Sequence, residues 1–201
     1  MARRRPSQKR SEDTVDIILE ATAQVLKDVG PQNASTNRIA ERAGVSVGTI
    51  YQYFPNKEAL FVAVSRRLVS RLETALLAHL PAFAAEEPTA AIEGFLRAIW
   101  AINRADPQLY QIIGRLELPN ALALLEAFEA RTEGMLAGVL VSRLRPGEDP
   151  LLVAKVLVRT VAGLVQHSIR RDPDAFHDER LAVELVTLVS GYLLPKARPL
   201  P

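Results

Sequence analysis

The chain has 201 residues, 48% of them hydrophobic and 5% aromatic, with no cysteine. That is enough apolar material for a sizeable core, and it excludes a disulfide framework, a thiolate metal site and a cysteine nucleophile. The net charge of +2 is unevenly spread: residues 1–72 hold 12 Lys+Arg against 7 Asp+Glu, net +5, and the remainder 13 against 16, net −3.

Positive charge gathered at one end suits a nucleic-acid-binding head on a near-neutral body, since phosphate responds to local charge. Ala, Leu and Val dominate beside Glu and Arg, so an all-α chain is expected. The basic start leads into Ser11, Glu12 and Asp13 with no apolar stretch to act as a signal peptide. No later segment runs as far as a bilayer requires, about 18 apolar residues, without a charge or proline. A soluble, cytoplasmic protein with no membrane partner is the expectation.

Residues 1–10 read as a basic arm (Arg3, Arg4, Arg5, Lys9, Arg10), for which a solvated tail and a groove-tracking segment are both open readings. Val15, Ile18, Leu19, Val25, Leu26 and Val29 then recur at helical spacing, with Thr22 on the same side. Gly30-Pro31 ends that helix. Ser35 caps a short second helix burying Ile39 and Ala40, and Gly44 terminates it. Ser46 caps a third, Val47 to Tyr53, that buries Ile50 and Phe54. Residues 11–57 therefore form a helix-turn-helix unit.

A fourth helix opens at Asn56 and carries Leu60, Phe61, Val64, Leu68, Leu72 and Leu76 to about His79, so 58–80 is a connecting helix. Pro81 and Glu86-Glu87-Pro88 mark the linker into a second domain, 81–201. There a fifth helix buries Ile92, Phe95, Leu96, Ile99 and Trp100. Breaks at Asp106-Pro107, Pro119-Asn120, Pro146-Gly147 and Asp172-Pro173 divide the rest into one short and three longer helices, nine in all. The last two, about Pro150 to Arg170 and Asp178 to Leu194, are apolar on more than one face, as helices that also meet a partner subunit are.

The third helix carries the chemistry. An α-helix fits the major groove, and its outward face offers Val47, Gly48, Thr49, Tyr51, Gln52 and Tyr53. Gln52 can bond an adenine edge bidentately, the methyls of Val47 and Thr49 can meet a thymine methyl, and Gly48 permits close approach. Tyr51, Tyr53 and Thr36 suit phosphate, and Lys57 adds a cation at the start of helix four.

Nothing comparable supports an enzyme. His79, His167 and His177 share no ligand spacing, so no metal site is expected, and no cofactor motif appears. Gly44-Val45-Ser46-Val47-Gly48 spells GxSxG, but a nucleophile elbow needs a strand before its serine, and here a helix precedes it.

Ile39-Ala40, Ala43-Gly44-Val45-Ser46, Thr49-Ile50-Tyr51, Tyr53-Phe54 and Asn56-Lys57-Glu58-Ala59-Leu60 resemble the signature of the tetracycline-repressor (TetR) family over roughly residues 12–62. The nine-helix count also matches. The resemblance implies DNA contacts at Thr36, Thr49, Tyr51, Tyr53 and Lys57. Asn37 and Val47 stand where many members carry a basic or longer polar side chain. It further implies a homodimer through the last two helices, a palindromic double-stranded operator, and a small-molecule effector in a cavity of helices five to eight that releases the repressor from DNA. A co-repressor, an activator and a second domain that only dimerises are the alternatives.

Trp100, Asn103, Arg104, Tyr110, Gln111, Arg115, Phe128, Arg159, Gln166 and His167 are polar or aromatic residues in otherwise apolar helices, as cavity walls require. The alternative reading makes Trp100 and Phe128 core and puts Arg159, Gln166 and His167 at the subunit interface.

Overall fold

The computed structural model describes residues 6–85, 88–116 and 118–196. Those residues form nine α-helices and two short 3-10 turns, with no extended strand among them. In order the helices are α1 Pro6–Asn33, α2 Thr36–Ala43, α3 Val47–Tyr53, α4 Lys57–Ala85, α5 Pro88–Ala105, α6 Pro107–Arg115, α7 Pro119–Leu140, α8 Pro150–Arg171 and α9 Glu179–Leu193. The expected all-α, nine-helix architecture is the one observed.

Local chemistry sets most of the helix starts. The Ser35 hydroxyl accepts from the Arg38 N–H at 3.3 Å, and that of Ser46 from the Thr49 N–H at 3.0 Å. Asp106, Asp149 and Asp178 cap α6, α8 and α9 in the same way. Pro107 and Pro150 follow the first two of these, at a position where a missing N–H breaks no intrahelical bond. Gly44 closes α2 in the left-handed region (φ 67°, ψ 30°). Its N–H reaches the Glu41 carbonyl at 3.2 Å and that of Val45 the Ala40 carbonyl at 3.0 Å. This double closure turns the chain directly into the Ser46 cap.

Three expectations need correction. Residues 6–10, read as part of an arm, belong to α1, while Arg3, Arg4 and Arg5 lie outside the described residues. Gly30 does leave helical geometry (φ 72°, ψ 167°), but the chain turns helical again to Asn33. Helix α4 runs through Pro81 to Ala85 instead of stopping near His79. A proline there removes one backbone bond, to the Leu77 carbonyl. Both residues are on an exposed stretch, and the helix-favouring Ala82 and Ala84 carry the helix on. Glu86 and Glu87 of the expected linker lie outside the described residues, and Pro88 opens α5.

Two hydrophobic clusters fill the interior. The first contains Ile18, Leu26, Ile39, Ile50 and Leu60, all fully buried, and draws on α1 to α4. Thr22 is buried with them, its hydroxyl donating to the Ile18 carbonyl at 2.7 Å. The second is built on Leu96, Trp100, Leu157, Phe176, Leu185 and Leu193. Trp100 meets Phe176 edge to face, ring centroids 5.2 Å apart.

Helix α6 joins the two. Its Leu109 and Tyr110 belong to the first cluster although the chain reaches them only after α5. Lys27 of α1 pairs with Asp106 at 2.8 Å, and the Gln108 side chain donates to the Lys27 carbonyl at 3.1 Å. The N-terminal unit is thus packed against α6 as well as continued by α4.

Helix α8 is the one described helix long and apolar enough to cross a membrane, with mean hydropathy 1.3 over its best 18-residue window. Lys155 and Arg159 fall inside every such window.

The Lys27–Asp106 pair is about three-quarters shielded from solvent on each side. A double-mutant cycle with Lys27→Ala and Asp106→Asn, which keeps the cap oxygen, is expected to give a coupling of about 0.5–1 kcal/mol in urea denaturation. A coupling of zero would mean that this ion pair does not help to hold α1 against α6.

Candidate DNA interface and ligand cavity

Helix α3 is only seven residues long and is oriented by its buried side. Ile50 is fully buried, and the Phe54 N–H closes the helix on the Ile50 carbonyl at 2.9 Å. The opposite side is left to solvent: Gly48, Tyr51, Gln52 and Tyr53 are exposed, and Val47 and Thr49 half-buried. Tyr51 is 53% exposed.

Both phenol oxygens are already placed by neighbours. Ser11 of α1 donates to the Tyr53 hydroxyl at 3.3 Å, and the Tyr51 hydroxyl lies 3.5 Å from that of Thr36, at the start of α2. The Thr49 hydroxyl is 2.8 Å from the Ser46 hydroxyl. Asn37 is exposed beside Thr36. Lys57 stands at the first turn of α4, where the Asn56 side chain takes the Ala59 N–H at 2.8 Å. Thr36, Asn37, Val47, Gly48, Thr49, Tyr51, Gln52, Tyr53 and Lys57 therefore come from two helices and the start of a third in one compact unit. Arg42, by contrast, is tied to Asp28 at 2.7 Å and to Gln24 at 3.3 Å on α1.

A second site lies at the seam between the two clusters. It is a cavity of about 200 Å³ with walls from α4 to α8 and Val189 of α9. Leu68 and Tyr110 on its wall belong to the first cluster, whereas Leu96, Ile99 and Leu157 belong to the second. Most of the lining is aliphatic.

Its polar groups are few and mostly satisfied within their own helices. Ser65 donates to the Phe61 carbonyl at 3.0 Å, Asn103 to that of Ile99 at 2.8 Å and Thr132 to that of Phe128 at 2.8 Å. Gln166 donates to Glu129 at 2.8 Å. Burial, then the neighbouring Glu133, raises the Glu129 carboxyl above its ordinary pKa. The buried Tyr110 hydroxyl has no partner. Burial pushes its pKa up to about 12, against the pull of the Arg71 guanidinium.

Of the residues proposed for a ligand from sequence, Asn103, Tyr110, Phe128 and Gln166 line this cavity. The others do not. Trp100 is core against Phe176, and Arg104 pairs with Glu179 at 2.6 Å on the surface. Gln111 is half-buried on α6 outside the lining, and His167 is exposed. Arg159 is exposed and donates to Glu133 at 2.9 Å. Arg115 lies in an adjoining concavity with Arg170 and Arg171. The α4 wall of Ser65, Leu68, Leu72 and Leu76, and Glu129 with Thr132 on α7, were missed. The spacing of Leu125, Glu129, Thr132 and Leu136 on one face of α7 was the available signal.

A capped helix-turn-helix with an outward, tyrosine-bearing second helix on a helical body defines a DNA-binding regulator. The profile described as "Bacterial regulatory proteins, tetR family" matches residues 18–64, and "Tetracyclin repressor-like, C-terminal domain" matches residues 87–193. The chain belongs to the TetR family of transcriptional regulators.

It is 33% identical to the HTH-type transcriptional regulator BetI of Yersinia pestis over 112 residues, 47% of this chain and 57% of that one. The match to these relatives thus covers just over half their length. A BetI of Serratia proteamaculans is 28% identical over 187 residues, covering 85% of this chain and 87% of its own. A transcriptional regulator of Rhodococcus has the same fold, with TM-score 0.69 and 23% identity over 93% of this chain and 99% of its own.

A Cβ built on Gly48 meets only the Ser46 hydroxyl, at an ordinary 3.6 Å. Alanine therefore fits the free protein and favours the helix by up to about 0.5–1 kcal/mol. If Gly48 serves backbone approach to DNA, Gly48→Ala will leave the melting temperature equal or higher while weakening binding at least tenfold in fluorescence anisotropy. Unchanged affinity would remove Gly48 from the interface.

Proposed function

We propose that the protein is a homodimeric repressor that holds a palindromic operator through its paired α3 helices and leaves it when a small molecule fills the cavity. The observation that carries this reading is the position of the cavity. Leu68 of α4 and Tyr110 of α6 are at once cavity wall and members of the cluster that seats α3. A molecule that shifts either helix alters the seat of the recognition helix.

Support for the dimer comes from the outer faces of α8 and α9. Leu151, Leu152, Val156, Val183 and Leu188 are between 38% and 58% exposed in the single chain. Apolar faces of this kind mark subunit contacts in soluble proteins. Two-fold pairing would set the recognition helices for half-sites about 34–36 Å apart, one turn of DNA. By linkage, an effector that lowers operator affinity is itself bound more weakly, by the same factor, when the operator is present. A co-repressor would show the opposite sign.

Selection of bound fragments from genomic DNA, followed by anisotropy titrations at several salt concentrations, tests the reading. Fragments with two related half-sites are expected. Lys57→Ala should weaken all sequences and reduce the salt slope by about 1, whereas Gln52→Ala should relax preference at one position of each half-site. No sequence preference at low salt would overturn the assignment, and identical behaviour of the two variants would overturn the division of roles.

A further inference from the structure

We propose that the cavity takes an amphipathic anion, its apolar chain lying among α4 to α8 and its carboxylate or phosphate head held at the mouth by Arg115, Arg170 and Arg171. The inference rests on the reading of the cavity as the effector site and adds the chemistry of the effector. Its basis is the continuity of two concavities. The aliphatic cavity and a second hollow of about 670 Å³ share Gly114, Leu116, Leu122 and Arg170 in their walls. The first is almost wholly apolar, and the second has three arginines among its six lining residues.

The arrangement at the junction is built by packing. A Cβ on Gly114 would lie 2.8 Å from the Ile169 Cγ2, so glycine is what lets α6 approach α8 there. The Arg115 guanidinium then donates to the Arg170 carbonyl at 3.0 Å, fixing the end of α6 against the last turn of α8. Arg115, Arg170 and Arg171 are all exposed and none has a resolved carboxylate partner in an ion pair among the described residues. Guanidinium groups match carboxylate and phosphate oxygens in bidentate geometry. A ligand with a long apolar part and a terminal anion satisfies both regions at once.

Glu129 is the lining group that opposes an anion. It lies one turn of α8 inside Arg170, through its hydrogen bond to Gln166, and burial, then Glu133, raises its pKa. A cationic amphiphile seated on Glu129 is the competing outcome, and the experiment separates the two.

Calorimetric titration of the full-length protein below micellar concentrations, with decanoate, decyl phosphate, decanol, decylamine and inorganic phosphate, is the test. Decanoate or decyl phosphate is expected to bind at least tenfold tighter than decanol and decylamine, the better of the two identifying the head, and inorganic phosphate at least tenfold more weakly than decyl phosphate. Arg170→Gln with Arg171→Gln should remove the preference for the anions while leaving decanol affinity and the melting temperature unchanged, and Arg170→Lys should retain part of it. Preference for decylamine, lost in Glu129→Gln, would overturn the proposal. So would equal affinity for all the decyl compounds, binding of none, or inorganic phosphate binding as well as decyl phosphate. Operator release is read separately by anisotropy. Anions that bind without releasing DNA would leave the ligand assignment standing and overturn the repressor-release reading.

Discussion

The seating of Ile50 in the first hydrophobic cluster is the interaction on which the molecule depends. A seven-residue helix cannot hold its shape in water, since isolated helices shorter than about 12–15 residues are marginal even with favourable composition. What fixes α3 is one fully buried isoleucine set among Ile18, Ile39 and Leu60, with the Ser46 cap at one end and the Phe54 closure at the other. Because only one side is anchored, the other is free for Tyr51, Gln52 and Tyr53. Specific contact with a duplex needs a rigid presentation of such groups, and here rigidity is borrowed from the neighbouring helices.

The same cluster also reaches the second half of the chain. Leu109 and Tyr110 return to it from α6, and Leu68 extends it along α4, so the cavity at the seam has one wall in common with the seat of the recognition helix. In the proposed mechanism no separate relay is needed. A ligand that moves α4 or α6 acts on the seat itself, provided it binds the two arrangements unequally.

The N-terminal unit was largely legible because its signals are local. Ser35, Gly44 and Ser46 act on bonds within a few residues, and Ile39, Ile50 and Leu60 repeat at helical spacing. The Asp-Pro breaks at 106 and 172 marked real ends for the same reason. The breakers that misled are also instructive. Pro81 is a strong local signal overridden where an exposed helix loses only one bond, and Gly30 changes the backbone direction without ending the element altogether. The cavity was half legible. Polar residues in apolar helices pointed to Asn103, Tyr110 and Gln166, but the rule cannot tell a wall from a surface pair, so Arg104 and Arg159 were gathered with them. Nor does periodicity reveal that Trp100 meets Phe176 from a 3-10 turn 76 positions along the chain. Those facts depend on packing between distant segments.

Native-state hydrogen exchange of the α3 amides, in the wild type and in Ile50→Ala, shows whether α3 is held by its seat in the first cluster. Amides after the first turn of α3 are expected to open only with the whole N-terminal unit in the wild type, and Ile50→Ala is expected to lower their protection by about 2–4 kcal/mol together with that of α1 and α2. Amides of α3 that exchange independently of α1 and α2 in the wild type, or whose protection survives the substitution, would contradict it.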